Sequence, residues 1–201
     1  SNITKIMKKD EKLDENLEAF DSGPGNCMID EWVRKNSKNN FDKNGLIAKS
    51  GKIDRLILNQ VIDNFELNSF GKSLDIKDFD ISFARGLSLE DGCATITNFT
   101  AYLIAKGIEH ANSNNDEPIK YLVCGGGRKN DYLIKSIKNY LLHKQNISLN
   151  SIDDYSLNGD YIESQAFGYL AIRSFLNLPI SYPKTTSCVT PTVGGKLAQS
   201  F

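Results

Sequence analysis

An α/β fold is what this sequence predicts, and three observations predict it. Two short apolar runs, Leu17 to Phe20 and Ile119 to Cys124, each enter a glycine-bearing turn: Phe20-Asp21-Ser22-Gly23-Pro24-Gly25-Asn26 and Val123-Cys124-Gly125-Gly126-Gly127-Arg128-Lys129-Asn130. Behind each turn, apolar residues recur at helical spacing after an Asn, the pattern of a strand, a turn and a capped helix. No repeat or linker interrupts the 201 residues, which are read as one domain, 1–201.

Ile3 to Met7 and Leu17 to Phe20 read as strands joined by a charged hairpin connection, Lys8 to Asn16, with Asp21 closing the second. Asn26 is expected to cap a helix whose apolar positions are Met28, Ile29, Trp32 and Val33. Asn36 to Asn44 is polar and read as a loop. Ile53 to Phe65 returns to helical spacing through Ile53, Leu56, Ile57, Gln60, Val61 and Asn64. Ser88 with Asp91 three residues on resembles a capping box and opens a long helix to about His110. Ala94, Thr97 and Ala101 keep that helix slim enough for close packing. Ala111 to Glu117 is a loop, and Ile119 to Cys124 is apolar enough for a fully buried strand. Asn130 then caps a helix through Tyr132, Leu133, Ile137, Tyr140 and Leu141. Ile147 to Leu149 is a short strand, and Asp160 with Glu163 suggests a second capping box for a helix to about Leu176, which Pro179 stops. In the tail, Val193 to Leu197 is the one strand candidate.

With 40% apolar and 24% charged residues the chain can form a core, and its formal net charge of −1 offers no basic field for nucleic acid or an anionic membrane. Small neutral or anionic ligands remain open. Cys27, Cys93, Cys124 and Cys188 are far apart, with no C-x-x-C pair, so reduced thiols are expected and no metal site. No apolar run is long enough to span a bilayer and the first residues form no signal segment, which makes the cytoplasm the expected location. The sequons at Asn2, Asn98 and Asn146 are accordingly read as incidental.

The two turns carry the chemistry. Each brings backbone N–H groups and the positive end of a helix dipole toward one place, which suits phosphate or a charged sugar. The triple glycine is neither a P-loop nor a dinucleotide fingerprint, because no Gly-Lys-Ser/Thr follows and Asn130 stands where the last glycine belongs. It reads either as a phosphate or nucleotide site or as a tight turn. Arg128 and Lys129 suit the first reading and equally suit solvated surface charge. Asp21 is a general base at a strand end or a turn residue accepting backbone bonds. Asp30 and Glu31 are expected to face solvent. Glu163 is a helix cap or a ligand contact.

Five segments in order resemble the C-terminal half of the anhydro-N-acetylmuramic acid kinase family, part of the sugar kinase, chaperone and actin superfamily. Ser1 to Thr4 resembles the close of its Gly-Gly-Ile-Ser-Asn segment, and Phe20 to Asn26 its Asp-Thr-Gly-Pro-Gly-Asn turn, with Ser22 for Thr. Lys72 to Asp75 with Asp78-Phe79 is similar to a connecting segment, although Phe70-Gly71 stand where relatives usually have prolines. Asp91 with Ala94 to Thr97 and Thr100-Ala101 resembles its long helix. Cys124 to Asn130 is similar to its nucleotide-side turn, and Gly159-Asp160 with Glu163, Ala166 and Phe167 to its last helix.

The resemblance implies one lobe of the actin-like ATPase (ribonuclease H-like) fold, a mixed sheet with flanking helices. It also implies an enzyme that opens the 1,6-anhydro ring of anhydro-N-acetylmuramic acid with water while ATP, with Mg²⁺, phosphorylates O6 in peptidoglycan recycling. Asp21 would be the base. Ser22, Gly23, Gly25, Asn26 and Glu163 would lie on the sugar, and Gly125, Gly126, Gly127 and Asn130 on the nucleotide. An N-terminal lobe bearing the phosphate hairpin is not recognisable in this chain and is the implied partner, with a homodimer left open. Two alternatives stand beside this reading: a non-catalytic actin-like lobe that binds a ligand or partner, and another sugar kinase of the same superfamily.

Overall fold

The computed structural model describes residues 1–6, 17–65, 79–113, 117–196 and 198. The segments Lys8 to Asn16 and Phe70 to Asp78, and Leu197, to which three of the expectations above apply, lie outside them. The elements are β1 (Asn2–Ile6), β2 (Leu17–Asp21), α1 (Cys27–Asn36), α2 (Leu46–Ser50), α3 (Arg55–Asn64), α4 (Leu89–Ala111), β3 (Ile119–Val123), α5 (Asp131–Tyr140), β4 (Ile147–Ser151), α6 (Ile162–Phe175) and α7 (Pro183–Thr186). The architecture is mixed α/β: small sheets flanked by helices.

Helix α4 is the axis of the molecule. Its alanines, threonines and glycines let neighbours approach on every side, and most of its length is buried. One apolar cluster joins it to α1, α2 and α3 through Met28, Ile29, Val33, Ala48, Leu58, Ile96 and Phe99. A second joins it to β1 and α5 through Ile3, Ala105, Ile108, Leu133 and Ile137. At Gly107 the hairpin comes close, since a Cβ there would stand 2.7 Å from Ser22 Cβ and 2.8 Å from Ile3 Cδ1. The hairpin therefore sits directly on the α4 backbone.

Among the described residues the strands form two separate pairs, one antiparallel and one parallel. Strands β1 and β2 are antiparallel with Asn2 opposite Asp21, while β3 and β4 are parallel with Ile119 opposite Ile147. Parallel strands need a long crossover, and α5 supplies it. Strand β3 is not fully buried: Ile119, Tyr121 and Val123 face the helices, and Lys120 and Leu122 face outward. With β4 as its partner and helices on one side, only alternate residues gain cover.

Several local expectations are corrected. Asn26 stands at the start of α1 in helical conformation, and its side chain makes no capping bond. Ser88 does cap α4, accepting from Asp91 N at 3.0 Å, but Asp91 turns its carboxylate to Lys52 N at 2.7 Å. The N-cap of helix α6 is Tyr161 rather than Asp160, and no side chain caps it. In α3 the inward face is Leu58 with Val61 and Ile62, which pack into the cluster around α4, while Leu56 is exposed. The loop read over Asn36 to Asn44 stands, and the short α2 follows it, its start held by Asp42, which accepts from Ile47 N and Ala48 N. Among the described residues of the tail, Ser181 and Thr192 form an isolated antiparallel bridge, and residues 193–196 are not a strand.

Candidate functional site

Asp21 is the last residue of β2, half-buried, and the turn behind it is locked. Ser22 N donates to Ser1 O at 2.8 Å and the Ser22 hydroxyl lies 3.0 Å from Ser1 Oγ. Ser22 is 1% exposed, and Gly23 lies so close to α4 that a Cβ would meet Leu103 Cβ at 3.1 Å. Gly25 is left-handed at φ +58°, a conformation glycine adopts freely. Cys27 N donates to Pro24 O at 3.2 Å, which closes the turn into α1.

The second turn is built differently. Gly125, at φ +75°, lies two residues past β3, and residues Gly126–Lys129 form one 3₁₀ turn before Asn130, whose Oδ1 accepts from Leu133 N at 3.0 Å and caps α5 as expected. Arg128 is nearly buried. It donates to Asp153 and Asp160 at 2.7 Å each and to Gly125 O at 3.0 Å, while Gly125 N donates to Gly159 O at 3.1 Å. Lys129 also reaches Asp160, at 2.6 Å. The two cations thus tie the turn to the segment before α6 and are neither a free anion site nor loose surface charge. Hydrogen bonds from Arg128 and Lys129 hold the Asp160 carboxyl down at about 2, and that from Arg128 lowers Asp153.

The fold brings the two turns together at Asn26. Cβ atoms built on Gly126 and Gly127 would lie 3.8 Å from Asn26 Nδ2 and 3.7 Å from its Oδ1. Released from capping, the Asn26 amide points across to the second turn, and its Oδ1 is buried with no hydrogen-bond partner. The α1 N-terminus, uncapped by any side chain, opens beside it.

Asp30 was expected to be exposed and is half-buried one turn along α1 from Asn26, with its carboxyl raised above the ordinary range by burial. The sequence signal for it was available: four residues separate it from Asn26, so both share a helix face. Glu163 is in the first turn of α6 and exposed. On the far side of the second turn, a groove of about 250 Å³ is lined by Val123, Ile134, Leu149 and Asn150, at the C-terminal ends of the parallel strands. Ligands of open α/β sheets bind at such ends. The four cysteines are free thiols, and no group of three potential metal ligands forms among the described residues. No helix among the described residues is long and apolar enough to cross a membrane.

Comparison with known proteins adds one consistent result. A family profile described as anhydro-N-acetylmuramic acid kinase matches residues 1–199. The chain is 48% identical over 204 residues to a protein of that name from Pelagibacter ubique, covering 100% of this chain and 53% of the relative. It is 39% identical over 186 residues to one from Zymomonas mobilis, covering 92% of this chain and 49% of the relative. A third, from Rhizorhabdus wittichii, is 39% identical over 180 residues, covering 89% and 47%. The chain spans about half the length of the curated relatives it matches.

Proposed function

This chain belongs to the anhydro-N-acetylmuramic acid kinase family, and from that premise we propose that it is the C-terminal lobe of a two-lobed, actin-like enzyme. That enzyme hydrolyses the 1,6-anhydro bond of anhydro-N-acetylmuramic acid and phosphorylates O6 from ATP, in the cytoplasm, during peptidoglycan recycling. The observation that supports the reading is the meeting of the two turns at Asn26, whose buried, unpartnered Oδ1 stands beside the backbone of Gly126 and Gly127.

Asp21 is the base. A water attacks C1 of the sugar, Asp21 accepts its proton, the C1–O6 bond breaks, and O6 takes the γ-phosphoryl group with ADP leaving. The transition state at C1 is oxocarbenium-like, so a carboxylate of ordinary basicity is enough. Ser22, Gly23, Gly25 and Asn26 shape the sugar side, with Glu163 at its margin. Gly125, Gly126 and Gly127 receive the nucleotide, and Asn130 holds their shape by capping α5. Neither Gly126 nor Gly127 has positive φ or a crowded Cβ direction, so the fold leaves room for phosphate there. Bound Mg²⁺ would offset the phosphate charge, arriving on the nucleotide and needing one or two protein carboxylates at most.

The test is reconstitution. This chain, the unmatched half of the Pelagibacter ubique relative, Mg-ATP and the anhydro sugar should together yield the 6-phosphate, followed by mass spectrometry. Asp21→Asn should keep sugar affinity and lower the rate by on the order of 10² to 10⁴, the usual worth of a positioned acid or base. Loss of stability with the rate retained would make Asp21 a turn residue. Sugar and nucleotide binding without any turnover would favour a non-catalytic lobe.

A further inference from the structure

Helix α6 is out of keeping with the rest of the molecule. From Ile162 to Phe175 it is largely apolar, yet none of its residues is buried. One side is used: Arg173 Nε donates to Pro179 O at 2.7 Å and Nη2 to the Tyr182 hydroxyl at 2.8 Å, and the Ser174 hydroxyl donates to Gly194 O. Those bonds fasten the tail along the side that also bears Leu170. The opposite side is bare. Phe167, Ile172 and Phe175 are 65%, 61% and 72% exposed, with Tyr169 and Leu176 beside them. At 100° per residue these five spread over roughly 200° of the helix surface. A helix apolar on so many sides is stable when buried, and an exposed patch of this kind marks an interaction surface.

We propose that this face of α6 is the docking surface for the other half of the family's chain, an apolar polypeptide surface. The inference rests on the reading of this chain as one lobe. Three observations select that occupant. The family match runs through α6, so the helix belongs to the common architecture. The relatives carry about as much chain again as is matched here, enough to cover it. Between Glu163 and Arg173 the helix has no charged residue, and Arg173 is engaged by the tail, so there is no cationic rim for an anionic bilayer.

The experiment measures association of this chain with the unmatched half of the Pelagibacter ubique relative, by sedimentation velocity and by titration of a labelled half. The wild-type chain should form a one-to-one complex. The double substitution Phe167→Asp with Phe175→Asp should weaken it at least 100-fold while leaving the far-UV circular dichroism and Tm of the chain unchanged, because neither side chain is buried within it. Leu56→Asp, on the exposed side of α3, should leave affinity unchanged. A complex that forms and phosphorylates the sugar with undiminished affinity in the double variant overturns the docking surface and leaves the lobe reading intact. No complex under any condition overturns both. A self-associated dimer of this chain, dissolved by the same substitutions and indifferent to the other half, assigns the face to a second copy and overturns the proposal.

Discussion

The two glycine turns look alike in sequence and differ in what their glycines do. In the first, Ser22 and Gly23 are pressed between Ser1 and α4, and the helix answers with a glycine of its own at position 107. In the second, Gly126 and Gly127 have ordinary backbone angles and nothing nearer than the Asn26 amide. Packing accounts for the first set and leaves the second unexplained within the chain. The first turn is thus a crowded wall, and the second is an open one with room for side chains it does not carry.

Substitution separates the two walls. Gly107→Val should cause the largest loss: the helix tolerates the residue, but its side chain would displace Ser22 and Ile3. A cost of about 3 kcal/mol is expected, roughly 6–12 °C in Tm for a chain of this size. An unchanged melting curve would mean that the hairpin is not seated on α4. Gly126→Ala should do the reverse. Its Cβ meets only Asn26 Nδ2 at 3.8 Å, so Tm should hold within about 2 °C, while ATP affinity of the reconstituted enzyme falls about tenfold, or 1.4 kcal/mol. A stability loss with ATP affinity unchanged would make the second wall structural too.

Two titrations sharpen the contrast further. Asp30, beside the first turn, has its carboxyl raised by burial. In the window between its unfolded and folded values the native state binds more protons, so the burial costs stability at neutral pH and is relieved as pH falls through the raised value. Asp30→Asn should therefore raise urea resistance at pH 7, with the advantage shrinking toward pH 4; equal midpoints at both pH values would place Asp30 in solvent. Asp160, beside the second turn, is the opposite case. Its pairing with Arg128 is present above the ordinary carboxylate range and is lost as pH falls through about 2. The carboxyl carbon resonance should show that low midpoint, with little effect on global stability because the pair meets solvent. A midpoint near 3.9 would show that Arg128 does not anchor the turn.

What the sequence disclosed followed the reach of its signals. The 3.6-residue period gave α1, α4 and α5, and the Asn130 cap was legible because Asn before an amphipathic run has one dominant use. Asn26 presented the same local pattern and does otherwise: its backbone is already helical, and its side chain lies beside Gly126, 100 residues away. Strand exposure failed for a similar reason. Composition says that β3 can be buried; the number of strands and helices that cover it is a tertiary matter. The charges at 128 and 129 could be assigned only once Asp153 and Asp160 were brought beside them. The α4 axis was anticipated through its small residues, though not the seat that Gly107 offers the hairpin.

Trp32 is the single tryptophan of the chain and lies against Gly92 of α4, with its indole nitrogen donating to Leu89 O at 2.9 Å. It stands on α1 less than two turns beyond Asn26. Intrinsic emission is thus a private channel to the wall that carries the proposed base: a red shift reports the α1–α4 seam opening. Events at α6 or at the triple glycine leave that emission silent unless they travel through Asn26, so a fluorescence change on adding nucleotide would by itself measure communication between the two turns.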